Sequence, residues 1–129
     1  MHLIARILIG LNALIHVYIA WLEMASWSER GPRVFPDLPQ ILFEQGGAMA
    51  ANQGLYNGFL AAGLIWALFI KDGQWQRNVA TCFLLFIAVA GIFGAVTVSF
   101  SALYAQTVPA ALALAALWMA RHGWLGRVE

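Results

Sequence analysis

Of the chain's 129 residues, 62% are hydrophobic and 10% are charged, and the formal net charge is +1. Soluble domains average about 45–50% apolar and about 25% charged residues, so this chain lacks the polar surface that a soluble monomer needs. With no basic block it also lacks the electrostatic footprint of a nucleic-acid partner.

The charges are unevenly placed. No charged residue lies between Glu44 and Lys71, and 43 consecutive uncharged residues separate Arg77 from Arg121. A membrane span needs about 20 largely apolar residues, so the second stretch is long enough for two spans and a turn. The sequence therefore predicts an all-α membrane protein. Residues 1–129 form one domain, a four-transmembrane-helix bundle with a short interfacial helix in the first loop.

Span 1 covers about 3–27, with Arg6 and Glu23 near its ends, where both side chains can snorkel. Asn12, His16 and Glu23 interrupt its apolar run and no small-x-small cleavage site follows, so it reads as a mature helix. The external loop, 28–47, holds Pro32, Pro36 and Pro39, which forbid a continuous helix. Within it, Asp37-Leu38-Pro39-Gln40 has the form of an N-cap with a glutamine three residues on. A short helix from Leu38 to about Glu44 then stops at Gly46-Gly47 and lies on the membrane surface or over the bundle mouth.

Span 2 covers about 48–70 and ends at Lys71-Asp72-Gly73, with Trp75 at interfacial height. Span 3 covers about 78–99. A polar turn, Ser101 to Thr107, leads into span 4, about 107–121, which holds Pro109 in its first turn and closes with Trp118, Arg121 and Trp124.

Four spans put both termini and the 71–77 turn on one side. That side carries Arg6, Lys71, Arg77, Arg121 and Arg127, against Arg30 and Arg33 on the other. The positive-inside bias then places both termini in the cytoplasm and the 28–47 loop outside. No internal repeat points to an inverted-repeat transporter. Small residues mark helix contacts: Gly54, Gly58 and Ala62 in span 2, Gly91 with Ala95 and Ala90 with Gly94 in span 3, and the alanines of span 4. Any of these faces equally suits a subunit contact, so a homo-oligomer stays open. Cys82, the single cysteine, reads as a small hydrophobe facing the core or lipid.

The informative polarity is within the spans. At about 100° per residue, Asn12, His16 and Glu23 fall within a sector of about 40° on span 1. Polar groups facing lipid are expensive, so this stripe is expected to face the bundle interior. Span 2 answers with Asn52, Gln53, Tyr56 and Asn57 over about 140° of its circumference. Together these seven side chains predict a polar pocket between spans 1 and 2 in the outer half of the membrane. It is suited to binding or transforming a small lipophilic molecule.

In that pocket His16, Glu23, Tyr56 and Asn57 are the candidate catalytic groups, with Asn12, Asn52 and Gln53 as ligand-binding walls. His16 offers an acid/base or an axial ligand, and Tyr56 and Asn57 would position a carbonyl, hydroxyl or epoxide oxygen. No HxxH, HExxH or carboxylate–histidine spacing indicates a metal, and haem enters only through His16. Glu23 and His16 lie about 10.5 Å apart along the axis, so they would act on two ends of one ligand. Tyr18, about 160° from His16, faces elsewhere. Two alternatives use the same residues: a small proton-coupled exporter with Glu23 as its acidic group, and an accessory subunit whose polar stripe specifies packing alone.

The run Asn52-Gln53-Gly54-Leu55-Tyr56-Asn57-Gly58-Phe59-Leu60-Ala61-Ala62-Gly63-Leu64-Ile65-Trp66 resembles the signature of domain-of-unknown-function family 1304. Leu14-Ile15-His16-Val17-Tyr18 and Glu23-Met24 are similar to that family's first helix, and Val34-Phe35 to its first loop. The resemblance covers nearly the whole chain and implies a small four-span bacterial protein of the inner membrane. Membrane lipids are then constant partners, and no activity is implied. A second likeness is to membrane-bound, haem-dependent epoxide isomerases, which carry a histidine shortly before an Asn-Gly pair. Asn57-Gly58 matches the pair, but Asn52 or Gln53 stands where the histidine would be.

Overall fold

The chain satisfies its backbone N–H and C=O groups with helix, as a backbone in lipid would have to. The computed structural model describes residues 1–122 and Trp124. Arg127, counted in the charge bias, lies outside the described residues. The elements are α1 (Leu3–Ala25), α2 (Trp27–Val34), α3 (Gln40–Gln45), α4 (Gly47–Phe69), α5 (Gly73–Thr97), a π-helical turn (Leu103–Thr107) and α6 (Val108–Arg121), with no strand among the described residues.

Among the described residues, three helices are long and apolar enough to cross a membrane: α1, α5, and the continuous segment Leu103–Arg121. Helix α4 has 23 residues and no charge, about 34 Å of length against a hydrocarbon core of about 30 Å. Asn52, Gln53 and Asn57 hold its hydropathy below that of the other three. Apolarity thus supports three of the four expected spans.

Side-chain contacts run in antiparallel succession. Arg6 donates to the Leu68 carbonyl (3.3 Å), while Gly54 sits against Ala20 and Met24, so α4 runs back along α1. Gly63 lies against the Phe83 ring, and Gln76, itself buried, donates to Leu68 O (3.4 Å), which sets α5 antiparallel to α4. Thr107 donates to Ala88 O (3.0 Å) and bears on Gly91, and Ala102 nears Gly94, so the last segment returns along α5. The buried core cluster is rich in alanine and includes Ala5, Ile9, Leu64, Leu84, Ile87 and Ala113. Outside it Phe69, Phe93 and Val96 stand exposed, an apolar girdle that water would penalise and lipid would not.

Several local expectations change. Helix α2 was not foreseen: it accommodates Pro32 because the missing N–H releases only the carbonyl of exposed Ser28. Pro36 and Pro39 do break the loop, and α3 begins at Gln40. Asp37 is not its cap, since Pro39 holds that position without a side-chain bond. The acidic cap is instead Asp72, whose Oδ1 accepts from Trp75 N–H (2.7 Å), so α5 starts five residues before the expected Asn78.

The expected polar turn over Ser101–Thr107 is largely helical. Val108 N–H bonds to Leu103 O, an i→i+5 step. Pro109 lacks the N–H that would bond the Ala105 carbonyl and would crowd that oxygen in a regular helix, and the wider turn relieves the crowding. It also extends this segment to 19 residues, long enough to cross; α6 alone has 14.

Candidate functional site

The interior stripe of α1 is polar in an otherwise apolar core. Asn12 and His16 are both 0% exposed and Glu23 is half-buried, while Tyr18 points outward with its ring 5.9 Å from Trp21. One helical face therefore carries all three interior groups, and each meets a different neighbour.

Asn12 Nδ2 donates to Leu8 O (2.8 Å) and to Pro109 O (3.1 Å), joining α1 to the start of α6. One turn later His16 Nδ1 lies 2.9 Å from Asn12 O. A carbonyl only accepts, so Nδ1 carries the hydrogen, and in the neutral ring Nε2 is then an acceptor. That Nε2 and Asn12 Oδ1 are buried with no hydrogen-bond partner. A buried acceptor left unsatisfied costs about 1–3 kcal/mol. Both of these are acceptors, and both are on the stripe.

Two turns beyond His16, Glu23 meets α4. Asn57 Nδ2 donates to Glu23 Oε2 (2.8 Å) and to Gln53 O (3.2 Å). The close approach depends on Gly54, where a Cβ would come within 2.6 Å of Met24 Cγ and 3.0 Å of both Ala20 O and Glu23 Cβ. The packing face of α4 is Ala50, Gly54, Asn57, Ala61 and Leu64, at alternating steps of four and three. The expected face Gly54, Gly58, Ala62 is not the one used. A Cβ at Gly58 would meet nothing within 4 Å, and Ala62 is exposed.

This rotation decides the rest of the expected pocket. Asn52, Gln53 and Tyr56 lie on the exposed side of α4, with Tyr56 56% exposed and its ring 6.2 Å from Phe59. Of the seven sequence-predicted residues, the structure brings Asn12, His16, Glu23 and Asn57 to the interior seam and leaves three outside it. The donors of Asn57 are both engaged, so what the seam has to offer is acceptors.

The first loop covers the Glu23 end. Trp27 Nε1 donates to Leu42 O (2.9 Å), its ring lies 5.0 Å from buried Phe43, and Gly31 leaves room for Phe43. Arg30 sits 5.0 Å over the Trp21 ring, a cation–π contact at the same end.

Among the described residues, no three His, Cys, Asp or Glu side chains gather to hold a metal ion. Haem does not fit either. His16 Nε2 is available, but its ring is fully enclosed, and neither Asn52 nor Gln53 replaces the missing histidine before Asn57-Gly58.

Sequence reasoning missed the Pro109 carbonyl as a partner of Asn12 and Thr107 as the contact for Gly91. The available signal was that Ser101–Thr107 contains neither glycine nor proline, so nothing in it requires a turn.

Fold and site together define an all-helical protein with membrane-length helices and a buried polar stripe where two of them meet. The chain belongs to the family described as Protein of unknown function (DUF1304), which it matches over residues 10–118. It is 32% identical over 117 residues to the uncharacterized protein YpaA of Lactococcus lactis subsp. lactis (strain IL1403), covering 88% of this chain and 96% of that relative. No solved structure matches it.

Proposed function

We propose that this chain is a four-span bacterial inner-membrane protein that binds a small lipophilic molecule carrying a hydrogen-bond donor, such as a hydroxyl or amine. The donor would meet the acceptors on the interior stripe of α1. The observation that carries this reading is the pair of buried acceptors without partners, Asn12 Oδ1 and His16 Nε2. Glu23 and Asn57 would close the outer end of the same seam.

The binding test begins with mass analysis and an absorption spectrum of what co-purifies with the detergent-solubilised protein. A lipophilic alcohol or amine is expected, without a Soret band. His16→Ala and Asn57→Ala are expected to lose it, and unchanged retention in both variants would sink the reading.

The fourth span rests on the length of α4, its lack of charge and its antiparallel seat against α1. Cysteine-accessibility mapping should place residue 72 on the same side as residue 2 and residue 36 on the opposite, outer side. Residues 36 and 72 on one side would rule the topology out.

A second reading is favoured by one observation. Asn12 Nδ2 bridges two backbone carbonyls, which ties α1 to α6 whether or not a ligand exists. In a purely structural stripe, His16 and Asn57 substitutions lower stability while no ligand is found.

A further inference from the structure

A second feature lies at the opposite end of the core, and it stands independently of the seam. Between the start of α5 and the end of α6 there is an open groove of about 730 Å³. Its lining changes character along the helix axis. Arg77 and Arg121 stand at one end together with Gln74 and Asn78, and the wall becomes apolar toward Leu85 and Leu114. No acidic side chain lines it among the described residues.

Positive-inside placement alone explains why arginines occur at helix ends, but not why two from different helices face one slot. Arg77 is held at the rim by a short relay. Its Nη2 donates to Gln74 Oε1 (2.9 Å), and Gln74 Nε2 donates to Asn78 Oδ1 (2.8 Å). Trp75 and Trp118 are both half exposed at this level, the depth at which indoles sit among headgroups. From Arg77 to Leu85 the slot runs about 12 Å along the axis, most of a monolayer's apolar half-thickness of about 15 Å. Two cations above an apolar channel of that length complement a molecule with an anionic head and a hydrocarbon tail, and basic pockets between membrane helices hold such headgroups.

We propose that the α5–α6 groove binds an anionic phospholipid, with its phosphate between Arg77 and Arg121 and an acyl chain lying along Cys82, Leu85 and Leu114. Cys82, the single cysteine of the chain, is exposed in this groove, so its alkylation rate reports occupancy.

The experiment uses the full chain in phosphatidylcholine nanodiscs, with phosphatidylglycerol added, and N-ethylmaleimide as the thiol probe. Phosphatidylglycerol is expected to slow alkylation of Cys82, and the Arg77→Gln/Arg121→Gln variant is expected to lower that preference about thirtyfold. That factor corresponds to ~2 kcal/mol, from about 1 kcal/mol per basic residue near an anionic surface. Equal protection by both lipids overturns the proposal, as does a full preference in the double variant or protection by inorganic phosphate alone.

Native mass spectrometry of the delipidated wild-type protein serves if the double variant does not fold. Exposed to an equimolar mixture of the two lipids, the protein should retain phosphatidylglycerol, and prior alkylation of Cys82 with a bulky maleimide should abolish the retention. Indifference to lipid type, or retention after alkylation, counts against the groove.

Discussion

At the end of the core that carries Arg6, Arg77 and Arg121, the helices meet through alanine and branched aliphatic side chains, among them Ala5, Ile9, Ala67, Ala80 and Leu84. At the other end α1 and α4 meet through a glycine, a carboxylate and an amide. Lipid as the solvent would account for both. In lipid the hydrophobic effect does not drive helices together, so association depends on close van der Waals packing or on interhelical hydrogen bonds. The alanine end uses the first, although His2 Nε2 at the start of α1 is also buried without a partner. The polar end uses the second and leaves Asn12 Oδ1 and His16 Nε2 unsatisfied. Two uncompensated acceptors on fully buried side chains, kept where aliphatic packing is available nearby, mark the better candidate for function.

The comparison can be broken most forcefully at the alanine end. Leu84 is 0% exposed, and Leu84→Ala should cost about 2–5 kcal/mol through transfer and cavity effects, read as loss of thermal stability of the purified protein in detergent. A loss no larger than that of an exposed Leu112→Ala control would mean that this end is not a packed core.

The next effect falls on the glycine approach. Gly54→Val should cost about 1–3 kcal/mol by overpacking, because its Cβ would meet Met24 and Ala20 O, whereas Gly58→Val should be tolerated. Equal losses at both positions would return the contact to the Gly54, Gly58, Ala62 face.

A smaller effect tests the polar pair. A double-mutant cycle over Glu23→Ala and Asn57→Ala should give a coupling of about 0.6–1.7 kcal/mol, the range of interhelical bonds in membranes. A coupling of zero would remove the Glu23–Asn57 bond from the account.

The smallest stability change is expected at His16. His16→Leu removes an unsatisfied buried acceptor in exchange for an apolar side chain, so thermal stability should hold or rise slightly while bound ligand is lost. A large destabilisation with no ligand in the wild type would favour the structural reading of the stripe.

Particular residues show why some of this could be read in advance. The apolar runs and the prolines placed the long helices, and the period of α1 put Asn12, His16 and Glu23 on one face, which the burial of that helix matches. The same period on α4 could not say which of two faces turned inward. Gly54 belongs to both the Ala50–Gly54–Asn57 and the Gly54–Gly58–Ala62 stripes, and only the first meets α1. Asn52, Gln53 and Tyr56 fell outside the seam for that reason. Ser101–Thr107 was misread because its serine and threonine resemble turn residues, whereas Gly91 gives Thr107 a place against α5, where the Ala88 carbonyl accepts its hydroxyl.

Composition and periodicity determined that this chain is helical, where its long helices run, and which polar residues share a face, because these properties belong to single helices and follow from 3.6 residues per turn. The tertiary structure decided the rotation of α4, the pairing of Asn57 with Glu23, the π-helical turn before Pro109, and the convergence of Arg77 and Arg121 on one groove. Each of these depends on the angle and depth at which two helices pack, and that is set by side chains far apart in sequence: a glycine on one helix, and the atoms that fill its missing Cβ on another.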